Sequence, residues 1–238
     1  MSVYLKNNYS INNISFMSSF DNTRKIKTIL RLFPYLKNVD KASKLLIDND
    51  SIHYISIREY AEKISDIIKL HLEMIGMHIS KSIITDSSAG VGGDTISFAK
   101  IFGHVNAIEI NKLRSEYLLN NIKVYDCDNV TIFNDNSINI LNKINDHNVI
   151  FIDPPWEPNN IGSYKQYDKL LLPFCDQPIE SLCNKLMDHE YMNSVPELIV
   201  LKLPKNYDIV HFYKTVNKKK IYYYDLNKMI ILVIVNNT

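Results

Sequence analysis

The stretch Ile83-Ile84-Thr85-Asp86-Ser87-Ser88-Ala89-Gly90-Val91-Gly92-Gly93-Asp94 decides how this chain folds. A short apolar strand runs into a loop holding three of the chain's six glycines, and a helical pattern follows. Glycine lets the backbone turn tightly and approach a ligand closely, and a helix N-terminus offers free N–H groups. This strand–loop–helix context is the one a nucleotide-type site needs. The spacing is not GxGxxG, and the loop opens on Asp86. An anion there suits a cationic or zwitterionic ligand better than a pyrophosphate.

Beyond the loop, strand and helix alternate. The pattern predicts a helix over 94–102, a strand over 105–110 and a helix over 112–125. A strand over 130–133, a short helix over 138–144 and a strand over 149–152 follow. Alternation of this kind gives a parallel sheet with right-handed crossovers. A strand over 197–203, a short helix over 208–215 and β-rich runs over 221–224 and 229–235 come last. The two runs, split by Asp225-Leu226-Asn227-Lys228, read as an antiparallel hairpin. The predicted fold class is α/β, a Rossmann-like seven-stranded sheet ending in that hairpin, with no internal repeat.

Before the loop, residues 1–23 are polar and without period, and are expected to form a flexible arm. Ile26, Ile29, Leu30 and Phe33 recur at helical spacing, so a helix is predicted over 24–36, ending near Pro34. Residues 45–50 read as a short strand or extended segment. Ser56-Ile57-Arg58-Glu59 has capping-box spacing and predicts a helix to about Met74, stopped by Gly76. The expected organisation is an arm (1–23), a helical extension (24–76) and a catalytic domain (77–238).

Three further polar groups stand at predicted strand ends, where α/β sheets bind ligands. Glu109 follows the loop by about 20 residues, the place where such folds bind ribose hydroxyls. Asp135-Asn136 follows the third strand, within reach of an adenine amino group. The fourth strand runs into Asp153-Pro154-Pro155-Trp156, which carries the only tryptophan. Two prolines fix φ twice and remove two donors, so the chain must leave the sheet there. An aromatic beside that turn can stack on a flat ring.

Net charge is +1, which advertises no global nucleic-acid-binding field. The basic clusters at Arg24-Lys25-Ile26-Lys27 and Lys218-Lys219-Lys220 read as solvated faces. Cys127, Cys175 and Cys183 are widely spaced and suggest neither a disulfide framework nor a metal site. No apolar run reaches the ~18 residues of a membrane span, and no signal-peptide pattern opens the chain. An intracellular protein is expected, nuclear or cytoplasmic, acting as a monomer without membrane or metal.

Asp86 to Ala99, with Gly-Val-Gly-Gly-Asp-Thr-Ile-Ser-Phe-Ala, together with Asp153-Pro-Pro-Trp156, resembles the class I S-adenosylmethionine-dependent methyltransferases. Within them it is most similar to the trimethylguanosine synthases, which methylate the exocyclic N2 of an RNA 7-methylguanosine cap. The segment from Leu46-Ile47-Asp48 to Ile64 and the turn Leu203-Pro204-Lys205-Asn206 extend the resemblance over about residues 30 to 236. The resemblance implies S-adenosyl-L-methionine as cofactor and capped RNA as partner. It implies that Asp86, Gly90 and Gly92 line the methionine part, Glu109 holds the ribose and Asp135 the adenine, with Ala89, Thr95, Ile110 and Asn136 as further cofactor-binding residues. Asp153 and Pro154 would face the amine, and Asp153 the cofactor as well. Trp156 would stack on the methylated guanine, with Glu157, Lys205 and Asn206 as further substrate contacts.

The family usually has Ser before Pro-Pro-Trp and glycines after it, whereas Asp153 and Glu157-Pro158 stand here. An acid at that place is normal in amino-methyltransferases acting on adenine and in some ribosomal guanine-N2 enzymes. An N6-adenine methyltransferase of DNA or RNA is therefore the alternative reading. A methyltransferase-like fold that binds RNA without catalysis is the third.

Overall fold

The computed structural model describes residues 19–156, 168–216 and 219–236. Helix α1 (Ser19–Leu32), a 3₁₀ turn (Val39–Lys44), α2 (Ser51–Tyr54) and α3 (Arg58–Met74) come first. The alternating run is β1 (Ile83–Asp86), α4 (Gly93–Ala99), β2 (His104–Ile108), α5 (Lys112–Val124), β3 (Val130–Phe133), α6 (Ser137–Ile140) and β4 (Val149–Ile152). The short strands β5 (Pro173–Phe174) and β6 (Gln177–Pro178) lead into α7 (Ile179–Leu186) and β7 (Leu198–Pro204). Helix α8 (Ile209–Thr215) and strands β8 (Lys220–Asp225) and β9 (Met229–Val235) complete the order.

The main sheet has seven strands in the order β3-β2-β1-β4-β7-β9-β8. The first five run parallel, and β9 pairs antiparallel with both β7 and β8. Strand β1 is flanked by β2 on one side and β4 on the other, so the winding reverses there. Such a reversal opens a crevice beyond the carboxyl ends of the strands.

Strand β4 shows why the sheet stays buried on both faces. Val149 and Phe151 pack with Ile64, Ile68 and Leu72 of α3 and Phe98 of α4. Ile150 and Ile152 pack on the opposite face with Leu182 and Leu186 of α7 and Phe212 of α8. Alternate residues serve opposite layers, so a central strand reads as a continuous apolar run.

Several expectations need correcting. Helix α1 begins at Ser19, inside the stretch expected to be an arm, and ends at Leu32, since Pro34 disfavours helix in the residue before it. Residues 45–48 are extended without joining a sheet and run into a turn at 49–50, one of the two forms expected of that segment. Ser56 caps nothing: α3 starts at Arg58 behind Ile57, and the Ser56 hydroxyl donates to Asp94 Oδ2 at 2.7 Å. Glu59 accepts instead from Lys63 at 2.7 Å. Helix α7 and the β5–β6 pair were not anticipated. Residues 1–18 of the expected arm and Lys218 lie outside the described residues.

The extended segment is held by a side chain rather than a neighbouring strand. Asn121 of α5, fully buried, accepts from Leu46 N and donates to Leu46 O and to Val91 O, each at 2.8 Å. One amide thus ties the N-terminal extension to the glycine loop. Truncating it leaves the buried Val91 O unpaired and frees both backbone groups of the half-exposed Leu46, so Asn121→Ala is expected to cost about 1 to 3 kcal/mol in urea unfolding. Limited proteolysis of the folded variant should cut first near residues 45–48.

Candidate active site

The carboxyl ends of β1 and β4 are stitched together by the serines of the loop. Ser87 donates its N–H and its hydroxyl to Phe151 O, at 3.0 and 2.7 Å. Ser137 Oγ donates to Ser87 O at 2.5 Å. Ser88 donates its N–H to Asp86 Oδ1 at 3.3 Å, and its Oγ accepts from Asp153 N at 2.9 Å. Thr95 Oγ1 donates to Asp86 Oδ2 at 2.6 Å. Asp86, Thr95 and Asp153 therefore belong to one hydrogen-bonded wall.

Gly90 and Gly92 adopt left-handed φ values of +53° and +100°, which side chains rarely accept. At Gly92 a Cβ would also stand 2.7 Å from Leu118 Cδ1, while Gly90 opens onto free space. Gly90 N donates to Glu109 Oε2 at 2.8 Å, and Asn111 N to Glu109 Oε1 at 2.7 Å. Ala89 is anchored by its N–H to Ile108 O at 3.0 Å. Ile110, 66% exposed, offers apolar surface next to Glu109. Asp135 is exposed; its Oδ1 accepts from Asn139 at 3.0 Å and from Asn136 N at 2.6 Å, which holds its carboxyl below the usual range. Asn136 caps α6, accepting from Ile138 N at 3.1 Å.

A lysine that the sequence reading passed over stands at the centre. Lys202 of β7 is only 3% exposed, and its Nζ lies 2.5 Å from Asp153 Oδ2. The same nitrogen is 5.7 Å from the centroid of the Trp156 ring, which packs against the core under α7. Pro154 is buried and Pro155 exposed. Asp94 holds Ser56 through one oxygen, and its Oδ1 is buried without a hydrogen-bond partner among the described residues.

Three carboxylates thus face one ammonium. Burial pushes Asp86 up to about 7, helped by the Asp94 charge and opposed by Thr95. Burial raises Asp153 to about 6, with Lys202 pulling it back down. Asp94 is raised by burial too, against Lys202 and Ser56. Burial works against the Lys202 charge, but Asp153 and Asp94 hold it above the ordinary lysine range. A net-negative, partly desolvated edge of this kind attracts a cationic ligand.

The remaining expected residues are dispersed. Lys205 lies at the surface, paired with Asp225 of β8 at 2.9 Å. Asn206 O accepts from Leu170 N at 2.8 Å. Glu157 lies outside the described residues. Among the described residues, no group of His, Cys, Asp and Glu is arranged to hold a metal, and no helix is long and apolar enough to cross a membrane.

Asp86 carries a sign that can be checked. Its folded pKa is raised, so its contribution to stability is full below about pH 4 and is lost as pH rises through about 7. Asp86→Asn should therefore stabilise the ligand-free protein at pH 8, on the order of 2 kcal/mol. Thermal unfolding across pH should show the gap between variant and wild type growing from pH 4 to 7 and levelling above it.

Comparison with known proteins bears on what this edge serves. Residues 81–236 match the model of a family described as RNA cap guanine-N2 methyltransferase. "Uncharacterized protein L320" of Acanthamoeba polyphaga mimivirus is 36% identical over 231 residues, covering 90% of this chain and 86% of that protein. The fold is similar to that of a precorrin-6y C5,15-methyltransferase from Geobacter metallireducens, with TM-score 0.52 and 14% identity over 80% of this chain and 97% of that one. It is also similar to the structure titled "Putative methyltransferase yhhF from Escherichia coli", with TM-score 0.52 and 17% identity over 74% of this chain and 88% of the other. At such identities the structures speak for the fold, and the family model speaks for descent. The match runs from just before β1 through β9, taking in the glycine loop, Asp153, Trp156 and Lys202: the chain belongs to the RNA cap guanine-N2 methyltransferase family.

Proposed function

We propose that the protein transfers a methyl group from S-adenosylmethionine to the exocyclic N2 amine of a 7-methylguanosine RNA cap. The observation that carries this reading is the Asp153-Pro154-Pro155-Trp156 turn, bonded through Ser88 to the glycine loop, so that amine acceptors and cofactor loop share one wall. The donor set suits the cofactor: carboxylates outnumber ammonium, Asp94 Oδ1 has no partner among the described residues, and Gly90 opens onto free space.

When bound, S-adenosylmethionine supplies an electrophilic methyl group on a sulfonium. In this reading Asp86, Ala89, Gly90, Gly92 and Thr95 flank its methionine part, Glu109 its ribose, and Ile110, Asp135 and Asn136 its adenine. An exocyclic purine amine is a weak nucleophile because its lone pair is delocalised into the ring. Accepting its N–H draws the nitrogen toward tetrahedral geometry and frees that pair. A carboxylate has about four lone-pair sites, so Asp153 can hold Lys202 and still accept the amine. The Pro154 carbonyl is the second acceptor. The proton lost by the nitrogen leaves to solvent through Asp153. A 7-methylguanine ring is cationic, and stacking on Trp156 adds a cation–π contribution of about 0.5 to 2 kcal/mol. Glu157 offsets the same charge. Lys205 and Asn206 reach cap phosphates, Lys205 exchanging its Asp225 partner for one.

The acid at Asp153 keeps adenine N6 as a second substrate class. Incubation with cofactor and either 7-methylguanosine cap analogue or an adenine-containing oligonucleotide, read by mass spectrometry, separates the two. Transfer to the cap analogue is expected, and transfer to adenine alone would sink the cap reading. Calorimetry should show S-adenosylmethionine binding; no heat with it or with its demethylated product would favour RNA binding without catalysis. Trp156→Ala should raise KM for the cap analogue about 5- to 150-fold, the loss of one stacked base, while cofactor affinity holds.

A further inference from the structure

We propose that Lys202 is a positioning residue that keeps Asp153 a fixed, ionised acceptor for the amine and registers it against the Trp156 ring. The inference rests on the roles of Asp153 and Trp156 proposed above. Its basis is geometric. Lys202 sits between Leu201 and Leu203, both fully buried, in a strand whose other residues are all apolar. Its ammonium touches Asp153 at 2.5 Å and stands 5.7 Å from the Trp156 ring centre, so one atom spans the two groups that meet the base.

A buried ion pair is a poor source of stability, because desolvation offsets the attraction. Lys202 has a chemical consequence instead. Among the described residues, the groups facing Asp153 are Lys202 from β7, Asp94 from α4, Asp86 from β1 and the Trp156 N–H. Without the ammonium, three carboxyl groups share one desolvated edge, and like charges there drive protonation. A protonated Asp153 would present an O–H toward the amine where a lone pair is needed. Lys202 decides which carboxyl group stays anionic, namely the one it touches. The Asp153–Lys202 pair is neutral as a whole, so it accepts an N–H without adding charge beneath the base.

Trp156 is the only tryptophan, so its emission reports on this cluster without cofactor or RNA. Titrating the ligand-free protein should show an emission step near pH 6, where Asp153 ionises. The titrations are made in an Asp86→Asn background, because Asp86 titrates near 7 beside the same cluster, and there Asp153→Asn should abolish the step. Lys202→Met should move its midpoint up by about 1 to 3 pH units, and Lys202→Arg should leave it near the wild-type value. An unmoved midpoint in Lys202→Met, or a step that survives Asp153→Asn, overturns the proposal.

If Lys202→Met does not fold, the double variant Asp153→Asn/Lys202→Met decides. Recovery of folding shows that the stranded acid was the fault, whereas continued unfolding while Asp153→Asn folds alone assigns Lys202 to packing and overturns the proposal. In the methyl-transfer assay, Lys202→Met should shift the acid limb of kcat to higher pH with KM for cofactor unchanged. The fluorescence titration needs no substrate, so its failure counts against Lys202, and failure of transfer counts against the proposed function.

Discussion

A buried ammonium must find a carboxylate at hydrogen-bond distance, because moving either ion alone out of water costs several kcal/mol. Lys202 and Asp153 meet that demand on neighbouring strands. Ile152 of β4 is paired with Leu201 of β7, so each next residue, Asp153 and Lys202, emerges side by side at the sheet's carboxyl edge. A slip of one residue would turn Lys202 to the opposite, apolar layer of α7 and α8. The pair therefore pins the register of two central strands, and the Pro-Pro-Trp turn inherits its position from that register.

The helical extension is part of the same construction. Ser56 reaches Asp94, and Asn121 clamps Leu46 and Val91 together. Gly93 makes the close approach possible: a Cβ there would stand 2.6 Å from Ile55 Cγ1. Loop, extension and β4 thus meet at one edge. The polar side chains that join them, Ser56, Ser87, Ser88, Thr95 and Asn121, are all short, so the wall they form has little rotamer freedom to lose.

Much of this was legible in the chain. Strands β1, β3 and β4 occupy the residues that the apolar runs predicted: β1 and β4 are central and buried, and even the half-exposed edge strand β3 ends abruptly at a polar loop. The parallel sheet closed by an antiparallel hairpin was expected from the alternation and its break; the order of the strands, with β9 between β7 and β8, is visible only in the structure. Other features were hidden for physical reasons. Ser-x-x-Glu describes a local cap, but a hydroxyl is equally satisfied by an acid 38 residues away, and nothing local distinguishes the two. Helix α7 buries Ile179, Leu182, Cys183 and Leu186 at helical spacing, yet it spans only eight residues behind Pro178. A lone lysine in Leu198–Pro204 was the visible sign of the buried ion pair. It went unread because lysine in a strand usually reaches water, and only the neighbouring strand shows which acid it meets.

Strand β9 comes last of the seven sheet strands in sequence, yet it lies inside the sheet, between β7 and β8. All seven of its residues are buried, and they pair with Leu198–Pro204 along their full length. A chain emerging from the ribosome would make β7, the lysine strand, some 25 residues before the strand that covers its open edge. Until then that edge stays available to pair with other chains. Assembly of the site would then follow synthesis of β9, making the closing of the sheet beside β7 a late step in biogenesis.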